Sequence, residues 1–244
     1  MSNHLGTYLK KKLVGKGHNL VTLEEPYHAM AKLLRRHEVR GIIDAGASDG
    51  RISRRFIKLF DSASVHAFEP NQLYREPLED YAQEEPRFSP HFLALSNRAG
   101  EADLHVTESP GSTSLFVPGS RLKENGYEGT DVQHVEQVRL TTIDEWAVGH
   151  APDGIQLIKL DIQGAELAAL EGAKRVLNTS TLLVYTEIWF NPAYQGGALF
   201  AHIDSFLRTN DFLLYDFYKP KYGSSGMLIW ANAIYVHAKR LGHF

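Results

Sequence analysis

The sequence predicts an α/β fold, a largely parallel sheet with helices on both faces. From about Gly41 onward, short apolar runs typical of buried strands alternate with amphipathic stretches typical of helices. The first apolar run leads directly into a glycine-rich turn, Gly46-Ala-Ser-Asp-Gly50. The last two strands are joined only by residues 219–226, too few for a crossover helix, so we expect an antiparallel hairpin at the sheet edge.

Each element follows from its own local pattern. Strands are predicted over residues 41–46, 64–69, 88–95, 155–161, 182–188, 212–218 and 229–237, and helices over 52–60, 71–84, 165–176 and 199–209. Residues 26–37 have an amphipathic pattern with Met30, Leu33 and Leu34 on one side. We therefore expect residues 1–40 to form a helical extension packed on one core domain, residues 41–244.

Two regions interrupt the alternation of strands and helices. Residues 100–106 predict a small hairpin arm, and residues 108–129 are rich in serine, glycine and proline, which predicts a long loop. A loop of that length within one domain is either functional or a mobile surface segment. Ser112, Thr113 and Ser114 offer hydroxyl groups there, and we identify them as candidate substrate-binding residues.

Composition excludes several classes of function. A net charge of −3 lacks the basic surface that binding to nucleic acid requires, and the absence of cysteine excludes disulfides, thiolate metal sites and cysteine nucleophiles. The first nineteen residues are polar and lysine-rich, unlike a secretory signal, and no apolar run is long enough to span a membrane. We expect a cytoplasmic protein; whether it forms a homo-oligomer stays open.

The glycine-rich turn and the acids around it suit a nucleoside-bearing cofactor. Asp44 lies at the end of the first strand, Gly46 and Gly50 allow a tight turn, and Glu69 ends the next strand. The two oxygens of Glu69 can accept hydrogen bonds from both hydroxyls of a ribose. An ordinary strand-to-helix turn could contain the same glycines, so it is the presence of Asp44 and Glu69 beside them that indicates a cofactor site.

The spacing in this turn argues against a dinucleotide. The fingerprint of NAD-binding folds has a middle glycine that is missing here, and Asp49 would face and repel a pyrophosphate. A cofactor with a positive sulfonium and an amino-acid tail meets no such repulsion, and Asp44 could attract its ammonium group. The pattern favours S-adenosylmethionine over NAD.

A second group of charged residues should lie at the same edge of the sheet. Asp161 ends a buried strand, Glu166 lies in the first turn of the following helix, and Glu187 lies near the end of another strand. A carboxylate at a helix N-terminus is also favoured by the helix dipole, so Glu166 has a structural interpretation as well. Lys159 lies within an apolar strand, where it needs a partner.

Six short motifs follow one another along the chain: Asp44-Ala-Gly-Ala-Ser-Asp-Gly50, Phe68-Glu-Pro70, Ala94-Leu-Ser96, Thr113-Ser-Leu115, Leu140-Thr-Thr-Ile-Asp144 and Ile158-Lys-Leu-Asp-Ile-Gln-Gly-Ala-Glu166. In their order and spacing, these motifs resemble the FkbM family of methyltransferases. The resemblance spans roughly residues 41–188. It implies a class I methyltransferase (Rossmann-like) fold, in which a seven-stranded, mostly parallel sheet ends in an antiparallel strand. It also implies S-adenosylmethionine as donor and O-methylation, often of a sugar hydroxyl or a natural product.

The resemblance further implies roles for individual residues. The tail of the donor would be held by Asp44, Gly46, Ser48 and Gly50, its ribose by Glu69, and its adenine side by Ala94, Leu95 and Ser96. Asp161 would border the site of methyl transfer. The chain departs from the family at two places, since the family often has asparagine at the position of Ser48 or Asp49, and usually glutamate at that of Gln163.

For the reaction itself, Asp161 is the first candidate for a general base or metal ligand, and Glu187 is the second. Both would suit a divalent cation, but the sequence shows no third ligand, so metal dependence stays open. His91 and His134 are weaker candidates for a base. We expect an S-adenosylmethionine-dependent O-methyltransferase acting on a sugar, glycoconjugate or natural product. The alternatives are an NAD-dependent oxidoreductase and a non-catalytic member of the fold that binds a cofactor or acts as a scaffold.

Overall fold

The computed structural model describes residues 24–223 and 226–242. The strands in this part of the chain are β1 (Gly41–Ala45), β2 (Ser64–Phe68), β3 (Phe88–His91), β4 (Ala94–Leu95), β5 (Gly100–Thr107), β6 (Val132–Thr141), β7 (Leu157–Leu160), β8 (Leu183–Trp189), β9 (Phe212–Tyr222) and β10 (Leu228–His237). The α-helices are α1 (Pro26–Leu34), α2 (Arg51–Leu59), α3 (Arg75–Glu84), α4 (Ser120–Glu124), α5 (Ile143–His150), α6 (Glu166–Glu171), α7 (Lys174–Thr179) and α8 (Phe200–Thr209).

Seven strands form the central sheet, in the order β3-β2-β1-β7-β8-β10-β9. Neighbouring strands are parallel from β3 to β8, whereas β10 is antiparallel to both β8 and β9. This arrangement confirms the expected seven-stranded, mostly parallel sheet of a class I methyltransferase fold. The terminal hairpin is confirmed as well, because the connection between β9 and β10 is too short to cross the sheet.

Helices cover both faces of this sheet because its parallel strands are apolar on both sides. Ile42 and Ile43 are adjacent in β1, so their side chains point to opposite faces. Ile42 packs in a cluster that includes Met30 of α1 and Phe56 of α2. Ile43 packs in a second cluster, with helices α5 to α8, that includes Leu170.

A second sheet of three strands lies beside the first, in the order β4-β6-β5. Its antiparallel pair, β5 and β6, includes the arm predicted over residues 100–106, with Leu104 opposite Glu136. The strand predicted over residues 88–95 is instead divided between β3 in the large sheet and β4 in the small one. Ala94 and Leu95 therefore pair with β6 of the small sheet.

The helix predicted over residues 26–37 is found as α1, which ends at Leu34 and packs one face against the core through Met30 and Leu34. The remaining residues of the expected extension, 1–23, lie outside the described residues. The division into a 1–40 extension and a 41–244 domain therefore stays a prediction. In the described ranges, no helix combines the length and apolar character that crossing a bilayer requires.

Candidate functional site

A cavity of about 320 Å³ opens beyond the carboxyl ends of β1, β2 and β7, where parallel sheets commonly place their ligands. The small sheet and the segment after β5 complete its wall. The apolar lining includes Phe68, Leu93, Ala94, Leu95, Leu104 and Leu115, and the polar lining includes Ser48, Glu69, Thr113, Ser114, Lys159, Asp161 and Gln163. The cavity therefore joins an apolar wall to a few convergent polar groups, as small-molecule sites do.

The turn after β1 owes its shape to left-handed backbone at Gly46, Ser48 and Gly50, with φ of 70°, 51° and 74°. A Cβ atom on Gly46 would lie 1.9 Å from the carbonyl oxygen of Asp161, so only glycine fits where β1 and β7 end side by side. The amides of Gly46 and Ala47 both donate to the carbonyl of Phe68, at 2.9 and 3.2 Å. The turn is thus tied to both neighbouring strands.

Glu69 joins the turn to the end of β2. One of its carboxylate oxygens accepts from the amide of Ser48 at 2.9 Å, and the other accepts from the amide of Asn71 at 3.0 Å. The residue is 8% exposed, and its burial raises the pKa of the Glu69 carboxyl. Since each oxygen retains a further lone pair and the residue lines the cavity, Glu69 can accept two more hydrogen bonds from a ligand.

Asp44, in contrast, is completely buried and does not line the cavity. Its Oδ1 lies 2.9 Å from the ammonium nitrogen of Lys159, and its Oδ2 accepts from the hydroxyl of Ser53 at 2.6 Å. The ammonium also donates to the carbonyl oxygens of Ala45 and Gly46, at 3.0 and 2.8 Å. Asp44 is therefore the partner that Lys159 needs within its apolar strand.

Asp161 lines the cavity at the end of β7 and is held by a directed chain of hydrogen bonds. The amide nitrogen of Gln163 donates to Asp161 Oδ1 at 2.9 Å, and the hydroxyl of Tyr194 donates to Gln163 Oε1 at 2.7 Å. A carboxylate only accepts, so Asp161 fixes the orientation of the amide, and the amide oxygen then requires a donor. Burial raises the pKa of the Tyr194 phenol, which keeps it protonated for this role.

Glu166 stabilises the turn that carries Gln163. Its two carboxylate oxygens accept from the amides of Ile162 and Gly164, both at 2.9 Å, and the residue is fully buried. Burial and the charge of Asp161 raise the pKa of Glu166 to about 7. Gln163 itself has a left-handed φ of 55°, a conformation that costs a non-glycine residue about 1 kcal/mol or more. By accepting from the amides on both sides of Gln163, the Glu166 carboxylate stabilises this turn, so its role in the described structure is structural.

Glu187 does not line the cavity. Its Oε2 accepts from the indole nitrogen of Trp189 at 2.9 Å, and the residue is 5% exposed. Burial, together with the charges of Asp161 and Glu166, raises the pKa of Glu187 well above its ordinary value. Every residue of β8 is buried, and this explains both the low exposure of Glu187 and its raised pKa.

The segment expected to be a long loop, residues 108–129, contains the short helix α4, which the sequence did not predict, and hydrogen bonds anchor the part that precedes it. Ser114 donates to the carbonyl of Gln163 at 2.7 Å and accepts from the amide of Phe116 at 2.9 Å. Thr113 accepts from the amide of Thr107 at 3.2 Å. Because Thr113 and Ser114 line the cavity, this segment forms a wall of the site that is fastened to the turn after β7.

The structure brings most of the sequence-predicted residues to this one cavity. Those that line it are Gly46, Ser48, Glu69, Ala94, Leu95, Thr113, Ser114 and Asp161. Those that do not are Asp44, Gly50, Ser96, Ser112 and Glu187. Gly50 is instead the N-cap residue that precedes α2, and the backbone carbonyl of Ser112 lies 3.3 Å from the hydroxyl of Tyr194.

Two polar residues of the site were not identified as functional from the sequence. Gln163 was noted only as a departure from the family, and Tyr194 gave no signal because its partners lie far away in the chain. Of the candidate histidines, His91 packs among aromatic rings, and His134 is exposed and pairs with Glu136 at 2.9 Å. Across the described ranges, no group of three or more histidine, aspartate or glutamate side chains has an arrangement that could hold a metal ion.

Comparison with known proteins identifies relatives of the chain. The methyltransferase FkbM domain matches residues 44–214. The 2-O-methyltransferase NoeI of Sinorhizobium fredii is 30% identical over 162 residues, which are 64% of this chain and 65% of the relative. The chain thus spans less than two thirds of that relative's length.

Two solved structures were also matched. A methyltransferase FkbM from Methylobacillus flagellatus has 16% identity and a TM-score of 0.49, with 87% of this chain and 48% of that chain covered. The magnesium protoporphyrin IX methyltransferase of Synechocystis, with bound S-adenosylmethionine, has 11% identity and a TM-score of 0.45, with 87% and 78% covered.

Proposed function

The chain belongs to the FkbM methyltransferase family, and on that premise we propose that it transfers a methyl group from S-adenosylmethionine to a hydroxyl of a sugar, glycoconjugate or natural product. The observation that carries the proposal is the cavity itself. One wall of the cavity is apolar, and two carboxylates line it. That of Glu69 is suited to accept hydrogen bonds from a ribose, and that of Asp161 is suited to accept a proton. The name of the curated relative, a 2-O-methyltransferase, supports transfer to oxygen.

The residues present fit the donor. Glu69 would accept the ribose hydroxyls, because its backbone donors fix the carboxylate while leaving lone pairs towards the cavity. Ala94 and Leu95 would lie against the adenine, where their buried apolar side chains favour a planar ring. The turn around Gly46 and Ser48 would border the amino-acid tail. When bound, the donor supplies a methyl group on a positive sulfonium.

Asp161 would serve as the base that takes the proton of the acceptor hydroxyl. Gln163 occupies Oδ1, while Oδ2 makes no hydrogen bond within the described ranges and the residue faces the cavity. The chain from Tyr194 through Gln163 holds the carboxylate in one orientation. A displacement at carbon depends mainly on such positioning of the reacting groups, and a positioned base adds to it.

Thr113 and Ser114 are the residues that we propose for contact with the acceptor. Both lie in the wall of the cavity, in a segment that is fastened to the turn carrying Gln163. Acceptor recognition and the orientation of Asp161 would therefore depend on the same local structure. A divalent cation bound by Asp161 together with the substrate is a second way to activate the hydroxyl, which a chelator would reveal.

Calorimetry tests the donor assignment directly. We expect S-adenosylhomocysteine to bind the purified chain and NAD not to bind, and we expect Glu69→Gln to weaken binding about tenfold or more, because hydrogen bonds to a charged group are worth about 1.5–3 kcal/mol. Glu79→Gln, on the surface of α3, is the matched control and should bind as the unmodified chain does. Binding of NAD alone would favour the oxidoreductase, and binding of neither would favour a scaffold.

A further inference from the structure

Asp44 and Lys159 form a buried, charged pair beside the cavity, and the proposed reaction gives this pair no role. Asp44 is fully buried, and only 4% of the Lys159 side chain is exposed. Asp44 uses one oxygen for Lys159 and the other for Ser53, so neither is directed to a ligand. The expectation that Asp44 attracts the ammonium group of the donor therefore has no free carboxylate oxygen to support it.

The pair is asymmetric with respect to the cavity. Lys159 belongs to the lining and Asp44 does not, so the wall presents the positive end of the pair. Burial by itself lowers the pKa of Lys159, but the carboxylates of Asp44 and Asp161 raise it above its ordinary value, so the ammonium stays charged. Charges that act through buried protein are screened far less than charges in water.

The hydrogen bonds of Lys159 determine how it can act on a ligand. Its nitrogen has three hydrogens, and its neighbours within 3.0 Å are the carbonyls of Ala45 and Gly46 and the carboxylate of Asp44. The two carbonyls accept two of these hydrogens, and the contact with Asp44 is an ion pair, so the ammonium is held by protein groups. Lys159 can therefore act on a ligand through its charge.

Among the charged residues that line the cavity, Lys159 differs from the others in being both positive and buried. Asp49, Glu69 and Asp161 are the acidic lining residues, and Arg51 is the only other basic one within the described lining. Arg51 is exposed at the first residue of α2, where solvent screens it. An anionic group on a ligand would thus find its buried positive charge at Lys159.

We propose that Lys159, rather than Asp44, determines the affinity of the site for the amino-acid tail of the donor, by favouring its carboxylate. This inference rests on the proposed function, since it concerns the same donor. It assigns Lys159 as a specificity-determining residue and Asp44 as the residue that holds it. If Asp44 attracted the ammonium group instead, removal of the tail's carboxylate would leave affinity unchanged or increase it.

Two ligands that differ only in that carboxylate test the inference. Calorimetry on the full chain would compare S-adenosylmethionine with decarboxylated S-adenosylmethionine, and we expect the first to bind about tenfold more tightly or better. Equal affinity, or tighter binding of the decarboxylated form, would overturn the inference without any variant. Failure of the unmodified chain to bind either ligand would instead overturn the proposed function.

A charge-balanced variant then locates the effect. Asp44→Asn with Lys159→Gln removes both charges while the new amide can still donate to the two carbonyls, so no unpaired charge is left buried. We expect its preference for the carboxylate to fall to about threefold or less, with decarboxylated ligand bound nearly as before. Retention of the full preference in this folded variant would contradict a role for Lys159.

Two further variants serve as controls, and thermal melting confirms that each protein is folded. Lys159→Arg keeps the positive charge and should keep most of the preference. Arg51→Gln removes the exposed cation at the mouth of the cavity and should also keep it. Loss of the preference in Arg51→Gln, with its retention in the charge-balanced variant, would assign the selection to Arg51.

Discussion

The acidic residues near the cavity have the same carboxylate group, but they differ in their hydrogen-bond and ion-pair partners, and these partners determine what each carboxylate can do. Glu69 accepts two backbone hydrogen bonds, Glu166 does the same within its own turn, and Glu187 is held by an indole. Asp44 is paired with a lysine. Asp161 lines the cavity, and with Oδ1 bound by an amide its other oxygen can still accept a hydrogen bond.

At the scale of single residues, Asp161→Asn should abolish most of the activity. We expect kcat to fall about 100-fold or more, since positioned bases contribute about 10² to 10⁴, while the affinity for S-adenosylhomocysteine changes little. The measurement is release of S-adenosylhomocysteine with an acceptor found by screening sugars and glycolipids. Glu187→Gln keeps an acceptor for the indole and is the matched comparison. A larger loss of kcat in Glu187→Gln than in Asp161→Asn would assign the base to Glu187.

At the scale of elements, the ends of β1 and β7 approach each other so closely that the turn between β1 and α2 must contain glycine. Gly46→Ala would place a Cβ 1.9 Å from a backbone carbonyl and force a left-handed φ on alanine. We expect the free energy of unfolding to fall by about 2–4 kcal/mol, measured by urea denaturation.

Gly149→Ala is the control for this change. Gly149 lies within α5, and a Cβ there would meet no atom within 4 Å. Its replacement should leave stability unchanged or raise it by up to about 1 kcal/mol, because alanine favours a helix more than glycine does. Equal effects of the two substitutions would show that the contact between β1 and β7 does not constrain Gly46.

Element boundaries were predicted well where a local pattern sets them and less well where a distant partner does. The helix predicted over residues 165–176 is divided into α6 and α7 because the Asp144 carboxylate accepts from the amides of Arg175 and Val176 and so caps a new helix. The strand β6 and the helix α5 were not predicted. The exposed residues of β6 form a strand because it pairs with β5, which its own sequence does not reveal.

At the scale of the whole molecule, a cluster of aromatic rings couples stability to pH. His66 and His91 lie beside Trp146, with ring centroids 4.7 and 5.1 Å away, where α5 covers the edge of the sheet. Burial, and then the charge of neighbouring histidines, lowers the pKa of both His66 and His91 to about 4. In the unfolded chain each histidine would have a pKa of about 6.5.

The direction of the effect follows from proton binding. Between pH 6.5 and 4 the unfolded state binds more protons at these histidines, so their contribution to stability is complete above about pH 6.5 and decreases as the pH falls. Glu166, whose pKa is raised to about 7, acts oppositely, since its contribution is complete below about pH 4.5 and is lost as the pH rises through 7.

His66→Phe should therefore reduce the loss of stability in acid. Two pH units at about 1.4 kcal/mol each set an upper limit of about 2.8 kcal/mol on the difference between the variant and the unmodified chain on going from pH 6.5 to 4.5. Urea denaturation at several pH values measures it. His28→Phe, which replaces an exposed histidine on α1, should leave the pH dependence unchanged. An unaltered pH dependence in His66→Phe would show that this histidine is not buried in its neutral form.

The sequence by itself determined the fold class and the location of the site. Apolar runs that alternate with helical patterns require a parallel sheet covered on both faces, and acids at the strand ends must then meet at one edge. The motifs also identified the family, which the comparison with known proteins confirms.

Only the tertiary structure decided which of these residues reach the cavity. Asp44 was expected to reach the cavity, but its carboxylate forms a buried ion pair with Lys159 instead. The pair forms because the parallel pairing of β1 and β7 places Asp44 opposite Lys159. Tyr194 was not expected, yet its hydroxyl completes the chain to Asp161. Local sequence fixes strands and turns, whereas the partners of a buried charge or amide depend on register and packing between segments far apart in the chain.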